Sequence, residues 1–152
     1  MQLVKIKTPG LAHLSYFLSS GGEAAIIDPR RDIDVYLELA RAEGAVIKHV
    51  FETHRNEDLI SQQPVTYARQ TSEGQAFDLG EARLTVLETP GHTDDSLSFV
   101  LYDKDFEDSP IGVFTGDALF IGDVGRTDFY PDRKREVAGL LFDSLQKLVA
   151  LG

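Results

Sequence analysis

The chain reads as a protein of mixed α and β class on three observations. Short apolar segments alternate with polar residues in its first quarter, helical spacing takes over at residues 28–44, and a second helical run closes the chain at 135–152. The segments "QLVKIK", "LSYFL" and "AAIID" are separated by "TPG" and "SSGGE", turn chemistry that predicts an antiparallel meander. In "DPRRDIDVYLELARAEG" Asp32 is placed to cap a helix of about three turns, with Ile33, Tyr36, Leu37 and Ala40 on one stripe and Gly44 at the left-handed C-terminal position. "AVIKHVFE" predicts a largely buried strand that delivers a charged turn at residues 53–58. "ARLTVLE", "LSFVLY" and "IGVFT" predict three more strands, and "DKDFEDSP" an exposed acidic connection. In the closing helix Val137, Leu140, Leu141, Leu145, Leu148 and Val149 recur at helical spacing.

Bulk properties narrow the function classes. A chain of 152 residues suffices for one domain, 1–152, with a real core. There are 25 acidic residues against 15 basic ones, a net charge of −10. A surface of that sign repels phosphate backbones and anionic lipid, so neither nucleic acid nor membrane is an expected partner. The absence of cysteine removes disulfides, thiolate ligands and a cysteine nucleophile together. "MQLVKIKTPG" has no apolar leader and no run approaches the ~20 apolar residues of a membrane span, so the expectation is a cytoplasmic protein.

Three strand ends carry polar groups. "ETHRNED" ends the strand at 46–52, "TPGHTDDS" follows the strand at 82–88, and "FTGDALF" closes the strand at 111–115. Each hands over to a turn bearing His54, His92 or Asp117, at the place where a rigid sheet presents side chains to a cleft. Two neutral imidazoles and one carboxylate make a three-point metal site with coordination positions left open, an arrangement used by non-haem Fe(II) oxygenases and, with other partners, by catalytic zinc. The spacings are 38 and 25 residues, so their convergence is an expectation. Taken singly, a histidine at a strand end is more often a hydrogen-bonded turn residue than a ligand, and His13 and His49, each without a second polar ligand type beside it, are read that way.

"THRNED", "PGHT", "FTGDALF" and "GRTDF", in this order, resemble the metallo-β-lactamase superfamily, and "GRTDF" with "IDPRRDIDVYLE" is similar to its persulfide dioxygenase branch, which includes members fused to rhodanese domains. The resemblance implies an α+β fold, a sandwich of two β-sheets flanked by helices with metal at one edge. Family members carry a further helix between the histidine turn and "FDLG" and continue past the closing helix, so it also implies a shortened, incomplete version of that domain. Where the family places four ligands in a Thr-His-x-His-x-Asp-His turn, this chain has Thr53, His54, Arg55, Asn56, Glu57, Asp58 and Leu59. The second and last histidines are missing, which argues against a two-metal site and matches a mononuclear one on His54, His92 and Asp117.

By that resemblance the expected activity is a mononuclear Fe(II) dioxygenase that oxidises a glutathione-type persulfide to sulfite. The alternatives are a glyoxalase-II-like thioester hydrolase, with zinc in place of iron, and a degenerate, metal-free binding module. Asp58 would orient a histidine or a metal-bound water, and Arg126 would either recognise a substrate carboxylate or pair with Asp128 to brace the loop. A low-molecular-weight thiol or persulfide is the expected partner, with a rhodanese domain and a homo-oligomer left open.

Overall fold

Two four-stranded sheets form the middle of the molecule. The structure is a computed structural model that describes residues 1–54, 69–106 and 109–152. The first sheet runs β1 (Gln2–Lys7), β2 (Leu14–Ser20), β3 (Glu23–Ile27) and β4 (Val46–Phe51) in that order; the first three form the antiparallel meander and β4 joins β3 in parallel. The parallel step needs a crossover, which α1 (Asp34–Ala42) provides. The second sheet is the antiparallel run β5 (Ala76–Leu79), β6 (Ala82–Glu88), β7 (Leu97–Asp103) and β8 (Gly112–Phe114). A short hairpin of β9 (Leu119–Phe120) and β10 (Asp123–Val124) precedes α2 (Lys134–Val149).

Side-chain alternation explains the layering. Along β2 and β3, Phe17, Ala24 and Ile26 turn outward to Tyr36 and Ala40 of α1, while Leu18, Ala25 and Ile27 turn inward. Both strands are therefore buried on both faces and read as continuous apolar runs. The inward set meets Ala82, Leu84, Val86, Phe99, Leu101 and Phe114 of the second sheet, and together they form the main core. On the far side, Leu87 of β6 packs with Leu141, Leu145 and Leu148 of α2. The layers are helix, sheet, sheet, helix, an α+β sandwich.

Several expectations need correction. The N-cap of α1 is Ile33, with no side-chain cap bond; Asp32 lies one residue earlier and its Oδ1 accepts the Asp34 backbone N–H at 3.3 Å. The buried face of α1 is Tyr36 and Ala40 flanked by Val35 and Leu39, while Ile33 and Leu37 face solvent. The Tyr36 hydroxyl fixes that rotation, bonding Ser15 Oγ at 2.6 Å and accepting the Arg30 backbone N–H at 2.9 Å. β4 is not largely buried: it is an edge strand among the described residues, and Val46 and Val50 are exposed. In α2, Val149 points outward, and Ser144 lies inside in its stead. No helix among the described residues is long and apolar enough to cross a membrane.

Candidate metal centre

Topology brings the three strand ends to one side. In an antiparallel sheet alternate strands point the same way, so β6 and β8 both end where β7 begins. The Leu97 backbone N–H at the start of β7 donates to the Thr53 carbonyl at 2.6 Å, which ties the end of β4 to that same edge. His54, His92 and Asp117 each follow one of these ends, and one ligand atom from each lies within 4.8 Å of the others. Asp117 Oδ2 is 3.8 Å from His54 Nε2 and 3.6 Å from His92 Nε2, and the two rings meet edge to face with centroids 5.1 Å apart.

Close backbone approaches hold this geometry. Gly116, at φ +51°, leaves no room for a side chain, since a Cβ there would collide with Thr53 Oγ1 and Cβ. Gly125 lies against the Asp117 carbonyl oxygen and the His92 Cβ, so the chain after the β9–β10 hairpin presses directly on the centre. The segment that follows supports His92. The Arg126 carbonyl accepts a bond from His92 Nδ1 at 3.0 Å; because a carbonyl cannot donate, Nδ1 carries a proton, and in the neutral ring Nε2 is the lone pair on the Asp117 side. Phe129 packs edge to face on the same ring, centroids 5.1 Å apart.

The donor set fits a single divalent cation. Both imidazoles are nearly buried, at 10% and 8% side-chain exposure, whereas Asp117 at 44% opens the centre to solvent. Separations of 3.6 and 3.8 Å are close to what two bonds of about 2.1 Å span at tetrahedral angles. Two nitrogens and one carboxylate leave further positions for water or substrate, as catalytic sites require. Among the described residues no other group of three or more histidine, aspartate or glutamate side chains is arranged to hold a metal.

Behind His54 lies Asp28, at the end of β3. Its carboxylate accepts the Thr53 backbone N–H at 2.7 Å and the Thr53 hydroxyl at 2.9 Å, and Thr53 Oγ1 is in turn 2.9 Å from His54 Nδ1. Burial raises the Asp28 pKa, opposed by those two bonds and by His54. Neither Asp28 nor Thr53 stands out in the sequence as part of the centre, although both lie within segments that resemble the family. The only signal is their residue type, since a separation of 25 positions in the sequence hides the contact.

Arg126, the other expected site residue among those described, is not one of the three clustered groups. Asp58, and Asn56 beside it, lie outside the described residues. Arg126 forms a two-pronged pair with Asp128, at 2.5 and 2.8 Å, and stacks over Phe129 with its guanidinium carbon 4.9 Å from the ring centroid. That pair holds the Asp128 carboxyl below the usual range.

Similarity to known proteins agrees with this architecture. The profile of the metallo-beta-lactamase superfamily matches residues 66–152, more than half of the chain. The mitochondrial hydroxyacylglutathione hydrolase of Saccharomyces cerevisiae is 29% identical over 143 residues, covering 77% of this chain and 50% of that protein, and hydroxyacylglutathione hydrolases recur among the relatives. A metallo-beta-lactamase structure from Staphylococcus aureus superposes with a TM-score of 0.86 at 29% identity, over 100% of this chain and 53% of that one. ETHE1 from Myxococcus xanthus gives 0.75 at 31% identity, over 96% and 68%. The chain spans about half the length of the curated relatives it matches first. With the sandwich fold and the strand-end cluster in place, these matches identify the chain as a member of the metallo-β-lactamase superfamily.

Proposed function

We propose that the protein is a single-metal enzyme acting on a glutathione-type thiol derivative, with the catalytic unit in one metallo-β-lactamase-like domain over 1–152. The observation that carries the reading is the meeting of His54 Nε2, His92 Nε2 and Asp117 Oδ2 at one sheet edge. A bound divalent cation supplies Lewis acidity for hydrolysis or, as iron, redox chemistry toward dioxygen. The chain supplies orientation. Both imidazoles are held in place from behind, and the half-exposed Asp117 side leaves an approach for substrate. Arg126 braces the loop beneath His92 through Asp128, and Asp58, outside the described residues, is assigned the orienting of a ligand.

Hydrolysis of an acylglutathione thioester to the carboxylic acid and glutathione is the first reading, supported by the relatives named hydroxyacylglutathione hydrolase. Oxidation of glutathione persulfide is the second: persulfide, dioxygen and water give glutathione and sulfite. It is favoured by the similarity to ETHE1 and by the donor set of two histidines and one carboxylate.

Side-by-side assays separate the two. Protein loaded with zinc or with iron is tested for thiol release from S-lactoylglutathione and for oxygen uptake with glutathione persulfide. The first reading expects thioester turnover with loss of at least about 100-fold in His92→Ala. Oxygen uptake without thioester turnover selects the second reading, and a protein inert in both assays at full metal occupancy rules out the proposal.

A further inference from the structure

The chain of groups behind His54 has a fixed polarity. Thr53 is 1% exposed and has a single hydroxyl proton, which points to Asp28 Oδ2 at 2.9 Å. With that proton donated to Asp28, the Thr53 oxygen has lone pairs alone to offer His54 Nδ1. In the neutral ring the proton therefore sits on Nδ1, which leaves the Nε2 lone pair on the Asp117 side. Asp28 adopts φ +51°, a left-handed conformation that is uncommon for a residue other than glycine and that places both carboxylate oxygens on Thr53.

Resting on the reading of His54 as a metal ligand, we propose that Asp28 is a positioning residue that acts through Thr53 to lock His54 in the Nδ1–H tautomer and so make Nε2 available to a metal. The polarity can be reversed without changing shape. In Asp28→Asn the Thr53 backbone N–H still needs an acceptor, so the amide oxygen must face it and the amide NH2 must face Thr53 Oγ1. The hydroxyl proton then turns toward His54 Nδ1, which drives the ring to the Nε2–H tautomer and blocks the ligand atom. Asparagine also tolerates the left-handed conformation, so the variant is expected to fold.

The test combines long-range proton–nitrogen spectra of metal-free, histidine-labelled protein with zinc affinity measured by chelator competition. In the wild type His54 is expected as the Nδ1–H form. In Asp28→Asn it should change to the Nε2–H form while His92 does not, and zinc affinity should fall about 10- to 100-fold. Thr53→Ser, which keeps the hydroxyl, should retain both wild-type readouts; Thr53→Val, which keeps the shape and removes the relay, should lose the single tautomer and the affinity. A zinc-binding wild type whose folded Asp28→Asn and Thr53→Val variants keep the tautomer, or keep affinity within twofold, overturns the relay alone. A wild type that binds no zinc overturns the ligand reading, and the proposal falls with it.

Discussion

A methyl group on Gly125 would collide with the Asp117 carbonyl oxygen and come within 3.1 Å of the His92 Cβ. Gly125→Ala must push the loop away from two of the three candidate ligands at once. It should destabilise the fold by about 1–3 kcal/mol or more in urea unfolding and weaken zinc binding about 10-fold or more. Gly139, inside α2 with nothing near its missing Cβ, is the contrast, since alanine there should stabilise by up to about 1 kcal/mol. At this scale the three candidate ligands at strand ends, which the fold brings together, were legible, because their chemistry is specific and their positions follow apolar runs. What holds them was not. The His92 partner is the backbone carbonyl of Arg126, which any residue offers, and Asp28 reaches Thr53 across a parallel strand pair that sequence does not disclose.

α2 is the element on which the His92 loop rests. Gly91 lies against the Leu141 backbone, Ser144 Oγ donates to the Pro90 carbonyl at 2.8 Å, and Lys147 reaches the Glu88 carbonyl at 3.0 Å. At the other end of the loop Arg133 holds Asp94 at 2.8 and 3.2 Å while also pairing with Glu136. Leu141, buried in one cluster with Ala118 and Leu148, joins these supports to the core. Leu141→Ala should cost about 2–5 kcal/mol of stability in denaturant unfolding. It should also speed hydrogen exchange at the amides of residues 91–96, a local effect that a core change remote from the loop, such as Ala24→Gly, would not produce. The helical period of this element was legible, because one face meets a sheet. The exposure of Val149 was not, because period alone does not say where the supporting surface stops. The four-residue β5 and the two-residue strands β9 and β10 are too short to display alternation.

Across the whole molecule, the two sheets are pinned together at the β2–β3 and β5–β6 turns by charged groups. Glu23 bonds Lys48 and accepts the Gly80 backbone N–H at 3.1 Å, while Lys104 donates to the Gly80 carbonyl at 2.8 Å and pairs with Asp78 at 3.2 Å. These partners hold both carboxyls below their usual range, Glu23 through Lys48 first and the Gly80 amide second, Asp78 through Arg83 first and Lys104 second. A carboxyl whose folded pKa lies below its unfolded value contributes stability that is complete above the unfolded pKa, about 4, and is lost as pH falls through the folded one. Asp28 has the opposite sign. Its raised pKa imposes a cost that appears as pH rises past the unfolded value and is absent in acid. The wild-type acid limb is therefore the difference of two opposing effects, one from the clamp and one from the centre. Glu23→Gln removes part of the first, so its urea midpoint should fall less between about pH 6 and pH 3 than that of the wild type. Asp28→Asn removes the second, so its midpoint at the upper end should be equal or higher and should fall more steeply over the same interval. Parallel acid limbs in all three proteins would mean that neither group titrates differently on folding. The steeper limb in Asp28→Asn is the expected mark of a buried carboxylate kept behind the candidate metal centre at a cost to stability.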